Sequence, residues 1–189
     1  SVEALSRGLP ASEVWSLLLD VMERRAMERA PADLMRQWER DRFVRPAYVD
    51  QRALVALDGH LLAAAHRFEA VELSPLAPLG ACSAVGRASQ NKIVSALRGT
   101  EVVSDPTNVL ALECALRLTR GPETIKLATS QRVVRAQEVP KNPGFAQHFR
   151  IFVLATGGRE VRDHGFVVEA LVEHARTKLR ALDRLEAHG

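Results

Sequence analysis

The stretch RVVRAQEVPKNPGFAQHFRIF, residues 132–152, decides how the fold is read. Two runs of β-branched and aromatic residues flank a segment containing two prolines and a glycine. That is the pattern of an antiparallel strand pair joined by the loop PKNPGFA. Four basic side chains, Arg132, Arg135, His148 and Arg150, stand on the two stems. A hairpin held only by its backbone ladder would do with fewer cations, which raises the question of what the cluster serves.

Upstream, KIVSALRGTEVV (92–103) reads as two short strands broken at Gly99, and SDPTNVLALECALRL (104–118) as a helix. Ser104 or Asp105 is its expected cap, Pro106 stands in its first turn, and Leu110, Leu112, Leu116 and Leu118 supply apolar surface. Further strands are expected at 124–129, 132–139 and 147–155. RFEAVELSPL (67–76) alternates imperfectly and reads as a strand ending at Pro75. The Gly/Ser/Ala-rich stretch 76–92 matches neither a Walker loop nor a nucleophile elbow and reads as a connector. The first third is helical: ASEVWSLLLDVMERRAMERA (11–30) with Ser12 as a cap, PADLMRQWERDRF (31–43), and a helix from Asp50 to about His66. FVVEALVEHARTKLRALDRLEA (166–187) is a closing amphipathic helix after the loop ATGGREVRDHG.

A run of helices followed by mostly antiparallel strands with interspersed helices is an α+β fold, a sheet flanked by helices with a helical N-terminal region. Residues 1–49 are expected as a helical extension and residues 50–189 as one α+β core, since 189 residues suit a single substantial core.

Apolar residues at 47% and charged residues at 26% exclude disordered, collagenous and coiled-coil chains. No run is long enough to span a bilayer, and the start lacks a signal-peptide pattern, so a cytoplasmic protein with no membrane contact is expected. Cys82 and Cys114 show no metal or disulfide spacing and read as buried or idle thiols. No histidine spacing suggests a metal site, and Trp15 and Trp38 read as helix-packing residues. Lys and Arg exceed Asp and Glu by 13 to 8 over residues 117–189, whereas residues 1–116 carry a slight acidic excess, 13 against 15. That asymmetry permits a phosphate-bearing partner without requiring one.

The order of the segments resembles the catalytic core of class II aminoacyl-tRNA synthetases, with the histidyl type closest in layout. The helix leading to FEAVELSPL resembles the first motif of that family, which builds its dimer interface; Pro75 matches the motif's proline. VVSDPTN resembles the strand-to-helix turn usually written Arg-Pro-Thr or Arg-Pro-Glu. VVRAQ and HFRIF resemble the two strands of the second motif, with Arg135, His148 and Phe152 at its marked positions. DHGFVVEALVEHARTKLRAL resembles the helix that follows.

The resemblance implies that Arg135 grips the α-phosphate of ATP or another nucleotide, with planar charge-assisted hydrogen bonds. It further implies that Gln137 takes the place of an acid near adenine and that His148 stacks on adenine or meets a phosphate. Glu101 would lie at a substrate-ammonium site, and Thr107 in the strand-to-helix turn. Arg135 and His148 are expected to share one groove. A homodimer is also implied, with Leu54, Leu57, Leu61 and Leu62 supplying apolar surface. Read without the resemblance, Arg135 is an exposed cation or ion-pair partner, His148 lines a core edge, and Glu101 is solvated.

Asp105 stands where the family places an arginine, and nothing resembles the glycine-rich third motif. The expectation is therefore a diverged, non-catalytic synthetase-like protein that binds a nucleotide, an amino-acid-like ligand or tRNA. The alternatives are an enzyme retaining adenylation or acyl transfer with parts supplied by a partner, and a dimeric interaction module without enzymatic activity.

Overall fold

The structure is a computed structural model that describes residues 2–138, 140 and 145–187. Six α-helices are described: α1 (Val2–Arg7), α2 (Ala11–Met27), α3 (Pro31–Arg40), α4 (Gln51–Ala64), α5 (Pro106–Leu118) and α6 (Gly165–Glu186). Six strands accompany them: β1 (Glu69–Ala70), β2 (Leu76–Pro78), β3 (Ser95–Ala96), β4 (Thr100–Val102), β5 (Thr124–Val134) and β6 (His148–Gly158). They form two three-stranded sheets, ordered β1-β5-β6 and β2-β4-β3. Among the described residues, only the short β1–β5 pairing is parallel. The architecture is α+β, with largely antiparallel sheets flanked by helices. Among the described residues, no helix is long and apolar enough to cross a membrane.

Side-chain caps set two helix starts. Asp50 accepts the Arg52 N–H at 2.9 Å to open α4, and Asp105 accepts the Thr107 N–H at 2.9 Å to open α5, with Pro106 in its first turn. By contrast, α2 begins after Pro10 and has no side-chain cap at Ser12.

The long β5–β6 pair is the frame of the molecule, and the two faces of the pair bury different things. Cross-strand partners such as Leu127↔Ala155 and Thr129↔Val153 put odd-numbered residues on one face. There Leu127 and Val153 pack against Leu110 and Cys114 of α5. Further along, Val133 packs with Ala77, Ala81 and Val103 of the second sheet region, and Phe149 joins that cluster. The even-numbered face carries Ala128 and Leu154, packed with Ala65 and Phe68 after α4 and supported by Phe152. The α6 helix lies against α4 on that side. Its Glu173 pairs with Lys126 of β5 at 2.5 Å, and its His174 meets Thr156 of β6 at 2.9 Å.

Several expectations from sequence are corrected. The strands placed at 124–129 and 132–139 are one strand, because Ser130 and Gln131 stay in the ladder. Ser130 hydrogen-bonds to Asp58, and Gln131 is buried. The strand read across 67–76 contracts to Glu69–Ala70, and after Pro75 the chain pairs with β4 instead. Leu112 and Leu116 of α5 are exposed rather than packed, and Trp38 is 50% exposed. The GG read as loop belongs to β6: a Cβ at Gly157 would lie 2.9 Å from the Cys114 Cβ, so the glycine lets α5 lie close on the strand. The loop PKNPGFA lies mostly outside the described residues.

Candidate functional site

The end of β5 is where the two sheets meet. Val134 N–H donates to the Val103 carbonyl at 3.1 Å, Arg135 N–H to Gln147 at 2.9 Å, and Ala136 N–H to Lys92 at 2.9 Å. These bonds tie the hairpin stem to the α5 entry turn and to the segment around Lys92. Between them lies a cavity of about 220 Å³, lined among others by Lys92, Ser104, Asp105, Asn108, Arg135 and Gln137.

Arg135 is held in two ways. Its Nε–H donates to the Ser104 carbonyl at 2.9 Å, and its guanidinium carbon lies 5.2 Å from the centroid of the Phe149 ring. The ring face is a cation–π partner for the guanidinium and uses none of its hydrogen-bond donors. Among the described residues, no carboxylate lies within ion-pair distance of Arg135. The arginine is therefore anchored but not neutralised, which is what capture of an anion requires. Asn108 is 8% exposed beside it, and Gly86 makes room for its amide: a Cβ there would sit 2.5 Å from the Asn108 Nδ2.

Of the ligand residues expected from the resemblance, Arg135 and Gln137 are brought together at this cavity, and Thr107, Glu101 and His148 are not. Thr107 is exposed and does not line it; its backbone N–H serves the Asp105 cap. Glu101 is neither solvated nor at the cavity. It is 0% exposed, and its carboxylate accepts from Gly80 N–H at 2.8 Å, Cys82 N–H at 2.9 Å and Gln90 Nε2 at 2.9 Å. Burial disfavours its charge, but the bonds from Gln90, Cys82 and Gly80 outweigh that and hold the carboxyl below its ordinary range. Its acceptor capacity is used to pin the 80–90 loop, which leaves it no role as a ligand for a substrate ammonium group.

His148 lies on the opposite face from Arg135, because it pairs with Val134, one register position away. The expectation of one shared groove is thereby overturned. Its Nδ1 lies 2.7 Å from Arg132 Nη1 and its Nε2 lies 2.7 Å from the Arg45 carbonyl. Arginine only donates and a carbonyl only accepts, so Nδ1 is the acceptor and Nε2 carries the proton. The cations of the hairpin are thus divided between its two faces. Lys92 and Asn108 had no sequence signal beyond residue type; a polar residue three positions past the Asp105 cap is the nearest thing to one.

Cys82 and Cys114 are both buried free thiols, and burial raises the Cys114 thiol above its ordinary range. Among the described residues, no group of three or more potential metal ligands converges.

No family model matches the sequence, and no curated protein matches it. Solved structures do resemble the fold. A histidine–tRNA ligase subunit from Alicyclobacillus acidocaldarius superposes with a TM-score of 0.57 at 15% identity, over 82% of this chain and 42% of that one. A pyrrolysyl tRNA synthetase from Desulfitobacterium hafniense gives 0.52 at 12% identity, over 82% and 50%. An ATP phosphoribosyltransferase regulatory subunit/histidyl-tRNA synthetase from Bacillus halodurans gives 0.53 at 15%, over 72% and 37%. The chain spans half or less of the length of each of these three. With identities this low the likeness speaks to fold alone: the chain has a class II aminoacyl-tRNA synthetase-like fold.

Proposed function

We propose that this chain is a diverged, non-catalytic class II synthetase-like protein whose Arg135 cavity receives a small anionic ligand. The candidates are the phosphate end of a nucleotide or an amino-acid-like molecule. The observation that carries the reading is Arg135 itself, stacked on Phe149, anchored to Ser104 and free of any carboxylate partner among the described residues. Lys92 adds a second cation to the same cavity. A volume of about 220 Å³ lies below the roughly 300–1,000 Å³ of pockets that enclose drug-sized ligands, so a whole nucleotide would extend beyond it.

Asp105 argues against adenylate synthesis. Its carboxylate lines the cavity at the position where the resemblance implies an arginine, placing negative charge where a pyrophosphate leaving group would need positive charge. Homodimerisation through the surface of α4 and binding of tRNA belong to the same proposal as its outer reach; α4 leaves Leu54, Leu57, Leu61 and Leu62 half-buried, with Val55 exposed beside them.

The test pairs two measurements. ATP–pyrophosphate exchange with each standard amino acid should give no turnover. A thermal-shift series with nucleotides and amino acids should identify a stabilising ligand whose effect is lost in Arg135→Ala. Robust exchange with one amino acid, abolished by Arg135→Ala, would replace this reading with the enzymatic one.

A further inference from the structure

Three of the four basic residues on the hairpin stems face away from the Arg135 cavity. Arg132 and Arg150 are direct cross-strand partners, and His148 follows on the same face opposite Val134. Like charges placed opposite each other on a strand pair repel, so the arrangement needs an explanation. Part of it is local: Arg150 is paired with Asp58 at 2.8 Å and also donates to the Ser130 carbonyl at 3.0 Å. Arg132 has no such compensation. It is exposed, its one described side-chain contact is the His148 ring, and no described carboxylate lies within 4 Å of it.

The segment between α3 and α4 closes the other side of this space. His148 Nε2–H donates to the Arg45 carbonyl, and Arg42 donates to the carbonyls of Pro140 and Phe145 at the hairpin tip. Arg45 is oriented by the Tyr48 hydroxyl at 2.7 Å and by the Glu39 carbonyl, and it too lacks a described carboxylate partner. What results is a cavity of about 530 Å³ with Arg45, Arg132, Arg150 and His148 on its polar side and no carboxylate in its lining. Its apolar side includes Val49, Leu54 and the indole of Trp38, which is 50% exposed. An aromatic ring left half-bare beside two guanidinium groups without acidic partners offers a stacking surface and a charge-assisted anion grip in one place.

We propose that this second cavity is a binding site for a planar organic phosphate, with the phosphate on Arg132 and its arginine neighbours and the planar body against Trp38. The volume falls within the range of small-molecule sites. The site lies on the opposite sheet face from Arg135, so it stands independently of the function proposed for that cavity.

Adenosine monophosphate is a suitable probe. In Trp15→Phe, Trp38 is the only indole, and the titration should give a saturable change in its fluorescence. Arg132→Gln in that background should weaken binding at least about tenfold, the scale of a lost charge-assisted hydrogen bond, whereas Arg135→Gln should leave it unchanged. Adenosine alone and inorganic phosphate alone should each bind at least about tenfold more weakly than the monophosphate. Calorimetric titration of Arg135→Gln, in which the first cavity lacks its arginine, and of the double variant with Arg132→Gln should show the same loss and does not depend on the Trp15 variant folding. A response that fails to saturate, survives Arg132→Gln or disappears in Arg135→Gln overturns the proposal. Binding that depends on Arg135 alone would overturn it while leaving the Arg135 cavity's reading intact.

Discussion

The Arg135 guanidinium carbon lies 5.2 Å from the centroid of the Phe149 ring, and the two residues belong to opposite arms of one hairpin. The stack depends on a planar cation, so lysine is not an equivalent replacement: its ammonium can neither lie flat on the ring nor offer a fork of donors. Arg135→Lys is expected to recover little of the ligand affinity lost in Arg135→Ala, each variant losing about 1.5–3 kcal/mol of binding free energy. Both should melt close to the parent, since Arg135 is only half-buried. Binding isotherms for the two variants, measured with the stabilising ligand from the thermal-shift series, decide this; full affinity in the lysine variant would show that charge alone matters.

Glu101 makes the opposite prediction. Its carboxylate accepts three hydrogen bonds in a site with no solvent exposure, and glutamine would present an NH₂ group to at least one donor. Glu101→Gln is expected to cost about 2–4 kcal/mol of stability, the range for disrupting hydrogen bonds to a buried charged group. Chemical denaturation of the variant measures it. A change of less than about 0.5 kcal/mol would mean that the 80–90 loop is pinned by something other than this carboxylate.

Gly157 reports on the packing of α5. An added Cβ would meet the Cys114 Cβ at 2.9 Å and both Cys114 Sγ and Leu118 Cδ1 at 3.4 Å, so the helix must shift to accept it. Gly157→Ala should destabilise the fold by about 1–3 kcal/mol, as overpacking of a close contact does. The double variant with Cys114→Gly, which removes the opposing Cβ, should lose less stability than the sum of the two single changes.

What the sequence made legible was local. Asp50 and Asp105 could be read as caps because their side chains bond to the backbone two residues on, and the Gly99 break between β3 and β4 follows from its φ of +71°. The site residues were less legible because their roles rest on tertiary partners. Ser130 looked like a strand break until Asp58, 72 residues away, supplied its hydrogen-bond partner. Glu101 looked exposed because its donors come from a loop with no recognisable motif. The separation of Arg135 from His148 is a matter of register parity across the hairpin, and residue spacing alone does not fix a register whose turn is unknown.

His174 gives the fold a pH dependence with a defined sign. Burial, reinforced by Lys178 and Lys126 and opposed by Glu173, holds the imidazole below its ordinary 6.5. Above that value the ring is neutral in folded and unfolded chains alike, and it contributes no pH dependence. As pH falls through 6.5 the unfolded chain takes up the proton first, so stability declines until the folded-state ring titrates as well. The buried Glu101 and the half-buried Glu173 are shifted down from 4.5, so their contributions persist above that value and are lost at lower pH, in a separate window. Melting temperatures measured from pH 7.5 down to about pH 3.5 should therefore decline below pH 6.5, and His174→Gln should flatten the decline between pH 6.5 and pH 4.5 while leaving the loss below pH 4.5 in place. An unchanged slope in the variant would assign the decline to another group.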